Sequence, residues 1–288
     1  MIAVDWGTSS FRAFLMNGAK IKDRMSNATG ILSVANGEFY QHLSNTLAPW
    51  LQRGERHILM SGMIGSRQGW VEAAYLPCPA GAADIAAHLT SVPFEGCDLR
   101  IVPGLSAFDA TGTPEVMRGE ETQIIGSDAG GLVCLPGSHS KWVTVDDEGR
   151  ITGFETYFSG EAFAALRSAT ILGRMMPEAP HDPAAFDEGL ARSAGPGHLL
   201  HHLFGVRTRG LMGTLADTSS ASYLSGLLIG HEIRAAMPPG AHVWLLGNET
   251  LSSLYAHAIQ VCGGTATIGP ADSAARGLSL IGAQVAWT

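Results

Sequence analysis

Residues 1–15 read Met1-Ile2-Ala3-Val4-Asp5-Trp6-Gly7-Thr8-Ser9-Ser10-Phe11-Arg12-Ala13-Phe14-Leu15, and the fold of the chain turns on how they are read. Ile2, Ala3 and Val4 form a short apolar run suited to a buried central strand. Asp5 stands at its end, and the small set Gly7, Thr8, Ser9 and Ser10 turns the chain. Phe11, Ala13 and Leu15 then alternate with Arg12 and Phe14, which predicts a second strand rather than a helix. A carboxylate at a strand tip beside exposed backbone N–H groups can hold a metal and phosphates together. The same residues also make an ordinary hairpin in which Asp5 caps the turn, so the rest of the chain has to decide.

Working outward, the apolar spacing of Phe39, Leu43, Leu47 and Trp50 predicts a helix over 38–51, and a strand is expected at 57–60. That strand empties into the loop Ser61-Gly62-Met63-Ile64-Gly65-Ser66-Arg67-Gln68-Gly69-Trp70. Pro77 and Pro79 break regular structure beyond it. A short helix is expected at 84–89 and a strand at 99–103. Pro103-Gly104 and the turn at 111–114 place a domain boundary between 103 and 118, giving domains 1–110 and 111–288. In the second half, Leu132 to Leu135, the turn Pro136-Gly137-Ser138-His139 and the strand Lys141 to Val145 repeat the opening pattern. A hairpin through Asp147-Glu148-Gly149 leads to a strand at 151–156. Helices follow at 159–172, at 182–191 with Asp182-Pro183 as its start, and at 220–237. A strand at 243–246, a helix at 251–262, a strand at 265–268 and a helix at 271–285 complete an α/β chain.

Charge narrows the function. Eighteen Lys and Arg against 26 Asp and Glu leave a formal net charge of −8, which disfavours nucleic acid as the partner. No run of about 18 apolar residues predicts a membrane span, and the apolar start runs into Asp5 rather than a cleavage site. Cys78, Cys97, Cys134 and Cys262 lack zinc-site spacing and read as reduced thiols of a cytoplasmic protein. His198, His201 and His202 read as helix-surface or loop residues, since no carboxylate or cysteine completes a metal set. Neither a G-x-G-x-x-G turn opening a helix nor a G-x-x-x-x-G-K-[ST] loop is present.

Asp5 to Arg12, the 61–70 loop, Arg118-Gly119-Glu120-Glu121-Thr122-Gln123 and Leu135-Pro136-Gly137-Ser138-His139-Ser140-Lys141-Trp142 together resemble the 2-dehydro-3-deoxygalactonokinase family. The similarity continues through Phe158-Ser159-Gly160-Glu161 and 223–230, and so covers nearly the whole chain. The resemblance implies an actin-like ATPase and sugar kinase fold, two ribonuclease-H-like domains with a central interdomain cleft. It implies ATP and Mg2+ as cofactors, and 2-dehydro-3-deoxy-D-galactonate, phosphorylated at its C6 hydroxyl, as the sugar acid. In that family's pattern Asp5 matches the magnesium-holding carboxylate, and Gly7, Thr8 and Ser9 match the first phosphate turn. Gly137, Ser138, His139, Ser140 and Lys141 match the second phosphate loop, and Gly247-Asn248 the adenosine segment.

Glu120 takes the place of the aspartate that accepts the hydroxyl proton in related sugar kinases, with Glu121 beside it as the other candidate. Adjacent carboxylates also suit the first turn of a helix against its dipole. The 61–70 loop falls where those kinases bind their acceptor. Arg67 is a fitting partner for a carboxylate because its planar fork matches two oxygens, and Arg118 is a second candidate. Trp70 is placed to stack on the carbon chain, and Gln68 and Glu72 to read hydroxyls. Two other readings stay open: a kinase for another hexose or sugar acid, and an ATP-binding sensor of the same fold without catalysis.

Overall fold

A computed structural model describes residues 1–288, the side chain of residue 36 excepted. The chain divides into two compact units. One comprises 1–131, 143–154 and 269–288; the other comprises 132–142 and 155–268. No helix among the described residues is long and apolar enough to cross a membrane.

The first unit opens with β1 (Ile2–Trp6), β2 (Phe11–Asn17) and β3 (Lys20–Asn27), followed by α1 (Phe39–Leu51) and β4 (His57–Ser61). Next come β5 (Tyr75–Pro77), α2 (Ala82–Ala86), β6 (Thr90–Phe94), β7 (Cys97–Ile101), β8 (Gly104–Phe108), β9 (Pro114–Met117) and α3 (Glu120–Ser127). Six strands form one sheet in the order β3-β2-β1-β4-β7-β6, and β5-β8-β9 form a small second one. β1 pairs antiparallel with β2, setting Asp5 opposite Arg12 and Trp6 opposite Phe11. It pairs parallel with β4, setting Asp5 opposite Ser61. Ile2, Val4, Trp6 and Phe11 are fully buried against Leu43, Leu47 and Trp50 of α1, so the apolar positions of strand and helix share one core.

The second large sheet is built on β10 (Gly131–Leu135), β11 (Ser140–Val145) and β12 (Ile151–Tyr157), whose stretch 143–154 is counted with the first unit. The helices α4 (Ser159–Ala169), α5 (Pro183–Ser193), α6 (Leu199–Leu211) and α7 (Ser220–Ala236) follow. β13 (His242–Leu245), α8 (Glu249–Val261) and β14 (Thr265–Ile268) complete it, and α9 (Ser273–Gly282) returns to the first unit. The sheet runs β12-β11-β10-β13-β14. Its β10–β13 and β13–β14 pairs are parallel. Counted along the chain, β3-β2-β1-β4-β7 has the same 3-2-1-4-5 order, with β1, β4 and β7 parallel. That shared order is the ribonuclease-H-like sheet, and the pattern repeat of the sequence is its trace.

Glycines let helices touch at the backbone where the site requires it. A Cβ on Gly277 of α9 would lie 1.8 Å from the Thr122 carbonyl oxygen, and one on Gly126 would lie 1.9 Å from that of Ser273. This contact seats α3, and with it the Glu120–Glu121 pair. In the second unit Gly226 of α7 and Gly189 of α5 approach each other's helices in the same way.

Six strands and helices escape the sequence patterns: β3, β5, β6, β8, β9 and α6. β5 forms at Tyr75–Pro77, where Pro77 and Pro79 predict irregular chain, as a three-residue strand beside β8. β3 is a solvent-facing edge strand of mostly polar residues, so it has no alternation to read. α6 leaves Leu200 and Phe204 exposed while burying His202, which scrambles its apolar stripe. The helix expected through 172 stops at Ala169, where Thr170 turns to an extended conformation.

Candidate active site

In the first unit the tip of β1 meets two glycines. A Cβ on Gly62, just past β4, would lie 2.8 Å from the Trp6 carbonyl oxygen and 3.3 Å from Asp5 Oδ1. Its φ of +92° is one that side chains rarely adopt. Gly119, at φ +105°, comes so close that its Cβ would be 3.1 Å from the Gly62 Cα. Asp5 and the start of α3 are thus gathered around Gly62. The Asp5 carboxylate is paired with Arg12 across the hairpin. The turn itself closes through the Gly7 N–H donating to the Ser10 carbonyl at 2.9 Å, with Thr8 and Ser9 exposed. It is backed by Gly30, whose Cβ would lie 2.2 Å from the Thr8 carbonyl oxygen.

The two glutamates part company in burial. Glu120 is half-buried, and one of its oxygens accepts from the Arg118 backbone N–H at 3.0 Å. Glu121 is fully buried and accepts from the Gly119 N–H at 2.7 Å, while its Oε1 has no partner in the structure. Burial, reinforced by the neighbouring Glu120 charge, pushes Glu121 up to about 8. A carboxyl closed off from solvent cannot meet a substrate hydroxyl, whereas Glu120 is open to one.

The 61–70 loop borders a cavity of about 350 Å³ lined by Ser66, Arg67, Gln68, Glu72, Tyr75 and Arg118. Arg67 is exposed and holds Glu72 at 3.0 Å. Arg118 is nine-tenths buried: one nitrogen donates to the Ala73 carbonyl at 2.6 Å, and its carbon lies 4.4 Å from the Tyr75 ring centre. Four of the five acceptor candidates therefore share one cavity. Trp70 is not among its lining residues; it packs on the core, edge-on to Tyr40 and Phe94.

In the second unit the turn 136–139 joins β10 to β11. A Cβ on Gly160 would lie 2.2 Å from the Gly137 carbonyl oxygen, and the Glu161 N–H donates to the Ser138 carbonyl at 2.9 Å. His139 contacts the Glu161 carboxylate at 2.6 Å and stacks on Phe158. Ser140 is buried against the Tyr255 hydroxyl at 3.0 Å, and Lys141 is buried with its ammonium donating to Thr156 at 3.0 Å. Gly247, at φ +131°, passes the Pro136 carbonyl at 3.6 Å from its Cβ position, and the Asn248 side chain caps α8. Beside these lies a mainly apolar cavity of about 330 Å³, lined among others by Gly137, Ser159, Phe163, Leu228, Leu254 and Tyr255. A flat base is the kind of ligand that such a wall suits.

A family model described as 2-keto-3-deoxy-galactonokinase matches residues 5–281. The chain belongs to this family. Its relatives include the "Probable 2-dehydro-3-deoxygalactonokinase DgoK1" of Rhizobium meliloti, 38% identical over 99% of this chain and 97% of the relative. The 2-dehydro-3-deoxygalactonokinase of Escherichia coli K12 is 33% identical over 95% and 94%. The crystal structure of a "putative 2-dehydro-3-deoxygalactonokinase protein" from Sinorhizobium meliloti superposes with a TM-score of 0.86 at 38% identity, covering 98% of this chain and 95% of that one.

Within this member of the family, the sequence patterns pass over several residues that shape the candidate site. Gly30 backs a turn from a distance that only the folded chain reveals, and so does Gly160, which the sequence offered only within the string 158–161 and without a role. Tyr75, an exposed ring covering Arg118, carried no pattern at all. Glu232 sat unnoticed in the middle of a long helix, although a carboxylate among Leu228, Ile229 and Ile233 is a signal that could have been taken.

Proposed function

We propose that this galactonokinase-family chain transfers the terminal phosphoryl group of ATP to the C6 hydroxyl of 2-dehydro-3-deoxy-D-galactonate, giving 2-dehydro-3-deoxy-6-phosphogalactonate in cytoplasmic D-galactonate catabolism. The observation that carries this is the gathering of Asp5 and Glu120 around the Gly62–Gly119 contact. A metal-competent carboxylate and, next to Gly119, a half-exposed base candidate stand at a backbone contact that only glycines permit.

The first unit takes the sugar acid and the outer phosphates. Arg67, freed from Glu72, pairs with the substrate carboxylate, while the fixed Arg118 supplies positive field behind it. Gln68 and Glu72 read hydroxyls. Gly7, Thr8 and Ser9 offer N–H and hydroxyl donors to phosphate oxygens. Glu120 orients the attacking hydroxyl and takes its proton late, as a loose phosphoryl-transfer transition state requires. The second unit takes the nucleotide, with Gly137 and Ser138 approaching its phosphates and the apolar cavity beside Gly247-Asn248 taking the base.

The donors fit Mg2+, which prefers one or two carboxylates and keeps its waters. Asp5 is a hard oxygen donor at a strand tip, beside a turn of exposed hydroxyls and with no bulk at Gly62. Asp5 would hold the ion, which supplies charge neutralisation at the phosphate oxygens. The test is a panel of 2-dehydro-3-deoxy aldonates and common hexoses, each assayed with ATP and magnesium. Phosphorylation of the galactonate derivative above all others is expected. Preferred transfer to a hexose, or ATP binding with no transfer to any acceptor, would sink the proposal.

A further inference from the structure

Glu232, on the buried face of α7, is only 3% exposed and does not line the nucleotide cavity. Yet several elements around that cavity converge on its carboxylate. The Trp142 indole N–H donates to Oε1 at 2.8 Å, from β11 just beyond the second phosphate loop. The Tyr255 hydroxyl, from α8, donates to Oε2 at 2.8 Å. The Ser140 hydroxyl lies 3.0 Å from the Tyr255 oxygen and is also a hydrogen-bond partner of the Glu232 carboxylate. Ser159, the first residue of α4, hydrogen-bonds the same carboxylate. Ser159 and Tyr255 are themselves walls of the cavity.

We infer that Glu232 is a positioning residue for nucleotide: it clamps the exit of the second phosphate loop, the start of α4 and the wall of α8 into one spacing without touching the ligand. The inference rests on the kinase reading above. Four side chains, Trp142, Tyr255, Ser159 and Ser140, converging on one carboxylate make a geometry that a merely space-filling residue does not need. Burial raises Glu232 above the usual carboxylate range, against the pull of these donors. The loop is also held directly by α4, through Gly160 against Gly137 and Glu161 against Ser138 and His139. The clamp therefore sets the loop against α8 and the cavity, and its loss moves the nucleotide contacts rather than dissolving the turn.

Glu232→Gln keeps the shape but turns an amide donor toward one of its own donors, and Tyr255→Phe removes the hydroxyl that ties α8 to Glu232 and to Ser140 while leaving Trp142 on the carboxylate. Calorimetric titration of wild type and both variants with ATP, followed by separate KM and kcat measurements for ATP and sugar acid, reads the effect. ATP affinity is expected to fall about tenfold or more in Glu232→Gln, the scale of a lost charge-assisted hydrogen bond, and less in Tyr255→Phe. The KM for the sugar acid should stay within about twofold. Folded variants that bind ATP as wild type does, with only a lower melting temperature, overturn the inference and leave the kinase reading intact. If Glu232→Gln does not fold, an unchanged ATP KM in Tyr255→Phe overturns it equally. A wild type that binds no ATP overturns both.

Discussion

The two turns that close the first hairpin of each unit share a frame and differ in what they hold. Each has four residues, 7–10 and 136–139, and each carbonyl chain is backed by a glycine just past the third strand. The Cβ positions of Gly30 and Gly160 lie at the same 2.2 Å from the Thr8 and Gly137 oxygens respectively. Two residues before the turn, however, the first unit has Asp5 and the second has Cys134, which is fully buried. Two residues after it stand Arg12, paired with Asp5, and Lys141, which finds Thr156 instead. The first turn is exposed and flanked by the Asp5–Arg12 ion pair; the second is braced by α4 and by the Glu232 cluster. One backbone solution thus serves a turn framed by an Asp–Arg ion pair in one unit and a clamped turn, with the His139–Glu161 contact and Lys141 at its edge, in the other.

The comparison assigns chemistry to the neighbourhood of the first turn, and the most severe way to break it is there. Glu120→Gln should lower turnover by roughly 100-fold to 10,000-fold, the range for a lost general base. Asp5→Asn should cost on the order of 100-fold. In both, ATP and sugar-acid affinities measured by titration should change by only a few-fold. A Glu121→Gln enzyme that is dead beside an active Glu120→Gln would move the base by one residue and undo the burial argument.

A milder test concerns the shared frame. Gly30→Ala and Gly160→Ala force a methyl into a carbonyl at 2.2 Å, and each should destabilise its unit by about 1 to 3 kcal/mol. Gly7→Ala, whose Cβ would rest 3.8 Å from the Ser10 oxygen, and Gly137→Ala, with nothing within 4 Å, should stay near wild type. Chemical denaturation of the four variants decides. Equal losses at all four positions would show that the backing glycines have no special place in the frame.

A test that leaves the activity aside sharpens the contrast between the paired glutamates. Glu121 holds its proton up to about 8 when folded, against about 4.3 in an unfolded chain. Between those values the folded state binds more protons, so stability falls as pH rises, by at most about 1.4 kcal/mol per pH unit. The contribution is whole below the unfolded value and is gone above the folded one. Melting temperatures of wild type should therefore decline from pH 5 to pH 8 more steeply than those of Glu121→Gln. Parallel curves would mean that Glu121 is charged in the folded protein.

Much of this was legible in the chain itself. Ile2-Ala3-Val4 ahead of Asp5, and Leu132 to Leu135 ahead of Pro136-Gly137, announce strand and turn through local apolar runs and small residues. The long helices 220–237 and 251–262 follow from spacing alone. Those signals are local because a strand or helix face needs only its own residues to show a period. Tertiary structure decided the rest. That Glu120 faces out and Glu121 in depends on how α3 is seated against α9, through Gly126 and Gly277. That Trp70 joins the core depends on Tyr40 and Phe94. His202, expected on a helix surface or in a loop, is wholly buried, 3.0 Å from His231 and 3.0 Å from the Pro196 carbonyl. Glu232 gains its meaning from Trp142 and Tyr255, residues 90 and 23 positions away. Burial and hydrogen-bond partners are set by distant segments, so no window of sequence contains them.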